Sequence, residues 1–242
     1  MLLTFVIPAY NEESSIEELL KKVLAVGLPN NFSKEIIVLD DGSKDNTRAI
    51  LESFSKKNPE VRFIKNEKNM GKSMTVKKGL LESKGDYVVI QDADLEYDPN
   101  DVSDLLKTCI DNKLDFALGN RFNKGNKMIY LSFFVGNKFL TVFSNIFTFL
   151  RLKKWIPDME VCYKLIKGDI VRQITPKLIS TSRYGFEPEI IAKLARLKIN
   201  GKHLKFDVLP VKYFPRTIEQ GKKIRWTDGV KALIEIIKYN LF

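Results

Sequence analysis

Over the first half of the chain, short continuous apolar runs alternate with longer stretches whose apolar residues fall three and four positions apart. LLTFVIPAY reads as a buried strand stopping at Pro8, because an unbroken apolar run closed by a turn residue suits a strand covered on both faces. SSIEELLKKVLAV places Ile16, Leu19, Leu20, Val23 and Leu24 on one helical face, with Ser14 or Ser15 as its cap. The alternation continues with strand EIIVLDDGS, helix DNTRAILESFSKK capped by Asp45, strand VRFIK, helix GKSMTVKKGLLESKG closed by Gly85, strand DYVVIQDAD, helix NDVSDLLKTCIDNK and strand DFALGNRF. This pattern predicts an α/β fold with a mostly parallel central sheet and helices on both faces. Ligands of such sheets bind beyond the carboxyl ends of the strands, and PAYNE, DDGS, QDADLE and GNRF all fall there.

After residue 125 the rhythm changes. Residues 128–155, MIYLSFFVGNKFLTVFSNIFTFLRLKKW, are Phe-rich and interrupted by Gly136, Asn137, Lys138, Ser144 and Asn145. Those interruptions predict two short amphipathic helices, broken near Gly136 or Ser144 and lying in a membrane interface, with a spanning helix or a soluble core helix as alternatives. Arg151, Lys153, Lys154 and Trp155 follow, residue types suited to an anionic headgroup layer. Strand VCYKLIK, helix FEPEIIAKLARLK, strand KFDVLPVKYF and a closing amphipathic helix VKALIEIIKYNLF complete the chain. With no internal repeat and no low-complexity linker, the 242 residues are expected to form one domain.

Charge adds an asymmetry. Residues 1–120 carry 16 Lys and Arg against 21 Asp and Glu, whereas residues 121–242 carry 24 against 9. A basic second half beside an acidic first half suits an anionic partner. Cys109 and Cys162 stand far apart and His203 is the single histidine, so neither a disulfide framework nor a zinc site is expected. MLLTFVIPAYNEE lacks the basic start of a signal peptide. These features point to a reducing, cytoplasmic compartment.

The densest chemistry is QDADLEYDPNDV. Residues two apart in a strand point the same way, so Asp92 and Asp94 could face one divalent cation. Mg²⁺ takes one or two carboxylates and completes its shell with phosphate oxygens and water. A solvated acidic loop is the plainer alternative, and Asp98 and Asp101 fit it as caps of the following helix. Asp40 and Asp41 end the second strand, where they could accept hydrogen bonds from a base or ribose or simply shape a turn. Tyr10 offers a stacking face and Glu12 a carboxylate. NEKNMGKS tempts a phosphate-loop reading, but that loop requires Gly where Asn66 stands.

In order and spacing, VIPAYNEE, VLDDGSKDNT, NMGKS, GDYVVIQDADLEYDP and GNRF resemble the GT-A glycosyltransferases of family 2, and most of all the polyprenyl- and dolichyl-phosphate sugar synthases of the dolichyl-phosphate mannose synthase type. The likeness continues through DMEVCYK, RYGFEPEIIAK and RTIEQGKKIRWTDG. It implies an inverting transfer of a hexose from a nucleotide sugar of the GDP-mannose or UDP-glucose type to a polyprenyl or dolichyl phosphate, with Mg²⁺ or Mn²⁺ as cofactor. By the same resemblance Pro8, Tyr10, Glu12, Asp41, Lys72, Asp92, Ala93, Asp94 and Arg121 would bind the donor. Asp92, Asp94 and Glu96 would hold the metal, Glu96 standing where the family often has Gln. Arg121, Arg216 and Lys222 would meet phosphate, and Asp158 and Asp94 would be catalytic. Residues 1–125 would form the nucleotide-sugar half and 126–242 the acceptor and membrane half. Val161 and Pro215 depart from the expected hydroxyl residue and Gly. The resemblance places the protein peripherally on the cytosolic face of a membrane, against anionic lipid. The family often adds transmembrane helices after this domain; none is expected here.

Two other functions fit parts of the pattern. A transferase extending a saccharide would need a general base, for which Asp158 is the candidate. A basic nucleic-acid-binding protein would gather Lys and Arg on one face with few acids among them; the acids at the strand ends argue against nucleic acid as a partner.

Overall fold

The computed structural model describes residues 1–29, 32–122, 125–127, 129–182, 185–217, 219 and 226–241. Lys222, Arg183 and Tyr184 lie outside the described residues. The elements run β1 (Leu2–Ala9), α1 (Ile16–Ala25), β2 (Ser33–Asp40), α2 (Thr47–Lys57), β3 (Val61–Lys65), α3 (Lys72–Glu82), β4 (Tyr87–Ile90), α4 (Asp101–Asp111) and β5 (Phe116–Asn120). Then come α5 (Leu131–Leu152), β6 (Lys164–Lys167), α6 (Gly168–Ile174), α7 (Phe186–Arg196), the hairpin β7 (Lys198–Ile199) and β8 (Lys202–His203), β9 (Phe206–Pro210) and α8 (Trp226–Leu241).

One seven-stranded sheet carries the order β3-β2-β1-β4-β6-β5-β9. Its strand pairs are parallel except at β6, which runs antiparallel to both β4 and β5. Phe5, Val6, Ile7, Ile37, Val38, Leu39 and Val89 are fully buried, as continuous apolar strands covered on both faces require. Each such side chain contributes roughly 1.5–3 kcal/mol on burial. Pro8 does not end β1: it pairs in register with Leu39, since a proline withdraws only its own N–H from the ladder. The α1 helix buries Ile16, Leu19, Leu20 and Val23 and turns Glu17–Lys21 and Glu18–Lys22 ion pairs to water. Helix α6 and the β7–β8 hairpin were not expected from the sequence; both are too short to show a period.

Helix α5 corrects the expectation of two short helices: it runs unbroken for 22 residues. Its polar positions from Thr141 to Thr148 do not break it because they face the protein. Thr141, Ser144, Asn145 and Thr148 are buried, while Leu131, Val135, Phe139, Val142, Ile146 and Leu150 are exposed. The buried groups are satisfied internally. Asn145 Nδ2 donates to the Thr141 and Ile156 carbonyls, its Oδ1 accepts from Ile156 N, and Thr148 Oγ1 donates to the Ser144 carbonyl. The helix is therefore amphipathic in the inverse sense of an ordinary surface helix. It packs on α7 and α8, and α8 exposes its own stripe of Val230, Ile234, Ile237 and Leu241.

Helix α3 lies so close to β1 and β2 that a Cβ on Gly79 would stand 2.4 Å from Val6 Cγ1 and 2.8 Å from Leu39 Cδ1. That contact fixes the height at which Lys72, the first residue of α3, enters the site described below. Gly79→Ala would gain about 1 kcal/mol of helix propensity but force overpacking of about 1–3 kcal/mol or more. Overpacking wins, so thermal unfolding should begin several degrees below wild type. An unchanged or raised midpoint would show that α3 can lift off the sheet at no cost.

Candidate active site

The parallel strands β1, β2, β4, β5 and β9 deliver their carboxyl ends to one edge of the sheet. Because β6 is reversed, its amino end and the preceding segment 158–163 arrive at the same edge. Six strand-end segments thereby meet around a cleft of about 1010 Å³, whose wall includes Tyr10, Glu12, Asp92, Asp94, Arg121 and Arg216.

The first two loops are tied to one another. Asn11, in the left-handed region at φ 54°, donates its N–H to Ser43 Oγ and accepts from Lys44 N; Asn tolerates that conformation better than most residues. Tyr10 stays 38% exposed, open to a flat ligand. Asp41 is almost fully buried and accepts from Asn66 Nδ2, Met70 N and Gly71 N. It lines the cleft, yet these bonds hold the 66–71 loop in place. The same bonds engage the N–H groups just before α3, the groups with which a phosphate nest would have to be built. Gly42 sits at φ 74° where a Cβ would meet Asn69 N at 2.7 Å, so only glycine allows the loops to approach this closely.

Asp92 and Asp94 do converge on the cleft, but not through strand alternation: β4 ends at Ile90 and residues 93–96 turn away from it. Leu95 takes φ 59° and Asp94 Oδ1 accepts from Glu96 N. A bulky residue held in the left-handed region costs on the order of 1–2 kcal/mol, a strain concentrated at functional turns. Asp92 Oδ1 lies 2.9 Å from Lys72 Nζ, which also lies 2.9 Å from Glu187 Oε1. Asp94 Oδ2 lies 2.8 Å from Arg216 Nη2, and Arg216 Nη1 reaches Glu12 Oε2 at 3.2 Å. Ser15 Oγ lies 2.8 Å from Glu12 Oε2 and 2.9 Å from the Ala93 carbonyl, its single proton serving one of the two at a time. Burial works against the charge on Lys72, but Asp92 and Glu187 outweigh it and hold the ammonium well above the usual lysine range. Asp94 behaves oppositely. Burial, then Asp92 and Glu96, push its carboxyl up to about 7 although Arg216 opposes them.

Glu96 was expected as a third metal contact. Its Oε2 accepts from Tyr213 OH and its Oε1 from Arg216 N, and among the described residues no group of three carboxylate, imidazole or thiolate ligands is suited to a metal. Asp92 and Asp94 do fit a hard divalent cation. They are oxygen donors whose joint charge is incompletely neutralised, and a two-carboxylate site completed by phosphate and water is what Mg²⁺ ordinarily uses. Lys72 and Arg216 occupy the cationic places beside them.

Asp158 is fully buried, and its carboxylate is held by Arg121, with Nε to Oδ2 and Nη2 to Oδ1 both at 2.7 Å. The Arg121 backbone N–H also donates to Asp158. Both oxygens of this carboxylate are engaged by the guanidinium, and the pair fixes the position of Arg121. Arg121 lines the cleft and carries Tyr213 against its guanidinium at 5.3 Å. Sequence reasoning missed Glu187, Glu160 and Lys164. Glu187 opens α7 and grips Lys72. Lys164 is fully buried with Nζ donating to the Val161 carbonyl. Glu160 lines the cleft. The only available signal was the unusual charge density of DMEVCYK and FEPE within apolar surroundings.

Comparison with known proteins accords with this architecture. The glycosyl transferase family 2 profile matches residues 4–174. A dolichyl-phosphate beta-glucosyltransferase of Dictyostelium discoideum is 32% identical over 208 residues, 81% of this chain and 63% of that protein, so the chain spans less than two thirds of this relative. An uncharacterized protein of Methanocaldococcus jannaschii is 32% identical over 96% of this chain and 97% of its own length. Among solved structures, the glucosyl-3-phosphoglycerate synthase of Mycobacterium tuberculosis, in complex with Mn²⁺, UDP and phosphoglyceric acid, superposes with a TM-score of 0.67 at 16% identity, covering 100% of this chain and 79% of that one. The fold is accordingly GT-A, and the chain belongs to glycosyl transferase family 2.

Proposed function

We propose that this protein transfers a hexose from a nucleotide sugar to the phosphate of a polyprenyl or dolichyl phosphate, with inversion at the anomeric carbon. One observation carries the acceptor class. The cleft that begins at Asp92 and Asp94 ends against α5 and α8, where Phe133, Phe139 and Leu233 line it. Polar chemistry at one end thus opens directly onto the two helices that turn apolar stripes outward. The named activity of the Dictyostelium relative supports the same reading.

Residues 1–125 would hold the donor. Tyr10 stacks the base, while Pro8, Glu12, Asp41 and Ala93 shape its surroundings at the strand ends. A divalent cation, Mg²⁺ or Mn²⁺, bound by Asp92 and Asp94 would neutralise the departing diphosphate, as Mn²⁺ accompanies UDP in the mycobacterial structure. Residues 126–242 would hold the acceptor. Arg121, kept in place by Asp158, offsets the phosphate charge. Arg216, once turned from Glu12 and Asp94, and Lys222 would add to it. In the transfer an acceptor phosphate oxygen bonds to the anomeric carbon while the bond to the donor's diphosphate oxygen breaks, both electrons leaving with the nucleoside diphosphate. No strong base is needed, because a phosphate monoester with a second pKa of about 6 is already ionised near neutral pH.

Helix α5 is long and apolar enough to cross a membrane by length and composition. Lying along the interface is the better-supported arrangement. The helix is joined to β5 and β6, neighbours in one sheet, and buries a polar stripe against the protein. Half-exposed Trp155, beside Lys153 and Lys154, suits the headgroup layer.

Three outcomes are expected. Label from UDP-glucose or GDP-mannose should appear in dolichyl phosphate incorporated into liposomes; EDTA should abolish transfer, and Asp94→Asn should lower it at least about a hundredfold. Transfer to saccharides alone would favour the chain-extending alternative. Asp158→Asn should leave Arg121 without its buried counter-charge, lowering stability by about 3 kcal/mol and slowing turnover more than it weakens nucleotide binding; normal turnover would remove Arg121 from the reaction. Finally, the protein should sediment with anionic liposomes at low salt, and Val135→Ser, Ile146→Ser and Leu150→Ser together should reduce that binding at least about tenfold. Phe143 and Phe147 are unsuitable for this purpose, being half-buried and packed edge to face at 5.6 Å. Wild-type protein that ignores liposomes would sink the membrane placement.

A further inference from the structure

Glu160 has no part in the roles assigned so far. Its Oε1 is buried and has no hydrogen-bond partner among the described residues. The residue as a whole is half-buried, and its side chain forms part of the cleft wall. A buried polar atom left unpaired is uncommon in a native fold and calls for a reason. A carboxyl group turns readily about its last side-chain bond, so either oxygen can be offered to the cleft.

The backbone around Glu160 is pinned on both sides. Two residues before it, Asp158 is clamped by Arg121 at 2.7 Å. Four residues after it, Lys164 is fully buried with its ammonium on the Val161 carbonyl, and Cys162 N donates to Tyr97 OH. Glu160 is therefore presented by a rigid segment, as a recognition residue should be.

Its chemistry narrows what it can meet. Burial, and then Glu187, push its carboxyl up to about 8 against the opposing pull of Lys164 and Arg121. A carboxyl raised in this way accepts a hydrogen bond and, whenever it is protonated, donates one as well. Phosphate is the natural partner of Lys72, Arg121 and Arg216, and a base that of the open Tyr10 ring. An unpartnered carboxyl oxygen in the cleft wall complements a hydroxyl, which can donate to it. We propose that Glu160 recognises a hydroxyl of the donor hexose and so determines which sugar is accepted. This inference deepens the transferase reading and rests on it.

A double-mutant cycle between residue 160 and the sugar tests it. Calorimetric titrations with Mn²⁺ would compare UDP with UDP-glucose and GDP with GDP-mannose, using wild type, Glu160→Ala and Glu160→Gln; the deoxy forms of whichever sugar binds would follow. The nucleoside diphosphate alone should bind all three proteins equally. The added affinity due to the sugar should fall about tenfold, or about 1.4 kcal/mol, in Glu160→Ala and be largely kept in Glu160→Gln. One deoxy sugar should lose a similar factor with wild type and nothing further with Glu160→Ala. Equal losses for nucleotide and nucleotide sugar, or identical deoxy penalties in every protein, would overturn the assignment. Should Glu160→Ala fail to fold, wild type and Glu160→Gln decide the matter, since indifference of both to every deoxy sugar is equally fatal. A wild-type protein that binds no nucleotide sugar at all refutes the transferase reading itself, and the two failures are thus distinct.

Discussion

Crowding negative charge at one edge of the sheet is the constraint on which the rest of this structure turns. Glu12, Asp92, Asp94 and Glu187 are drawn together from three distant stretches of chain, and Lys72 and Arg216 hold them. Like charges brought this near repel one another strongly in a partly dry cleft, and burial, then the neighbouring Asp92 and Glu96, push the Asp94 carboxyl up to about 7. Rigid supports surround the cluster: Gly79 under α3, the Asp41 bonds to the 66–71 loop, and the left-handed turn at Leu95. A fold that only had to be stable would disperse such acids. Keeping them together makes sense where a cation and a diphosphate are to be received.

The reversed strand β6 is the second organising feature. Were it parallel, the segment 158–163 would emerge at the opposite edge. Reversal brings Asp158 and Glu160 beside Arg121, and it returns α5 to the sheet between two strands that already border the cleft. The apolar surface and the anionic centre are joined by this topology.

The first half of the fold was legible because its strands are unbroken apolar runs and its helices keep their period; β1 to β5 and α1 to α4 stand where those patterns place them. The direction of β6 was not legible, since four residues of strand look alike in either orientation. Helix α5 misled for a physical reason: Asn145 and Ser144 read as interruptions, yet both face the protein, where Asn145 bonds to the backbone of Thr141 and Ile156. At the site, Asp92, Asp94 and Glu12 declared themselves through their strand ends. The partners of Lys72 did not, because Glu187 lies more than a hundred residues away and no local pattern encodes such a pairing. Asp158 was singled out in the sequence as a catalytic candidate, but its bidentate bond to Arg121 was not legible, because no local pattern links residues 37 positions apart.

The anchoring of α5 at both ends has one further consequence. With β5 before it and β6 after it in the same sheet, the outward stripe cannot drift relative to the carboxylates. It acts as a ruler, setting one fixed distance between an apolar surface and the carboxylates. For the proposed lipid phosphate, such a ruler would gauge only the part of the acceptor next to the phosphate, and whatever tail lies beyond the stripe would go unread.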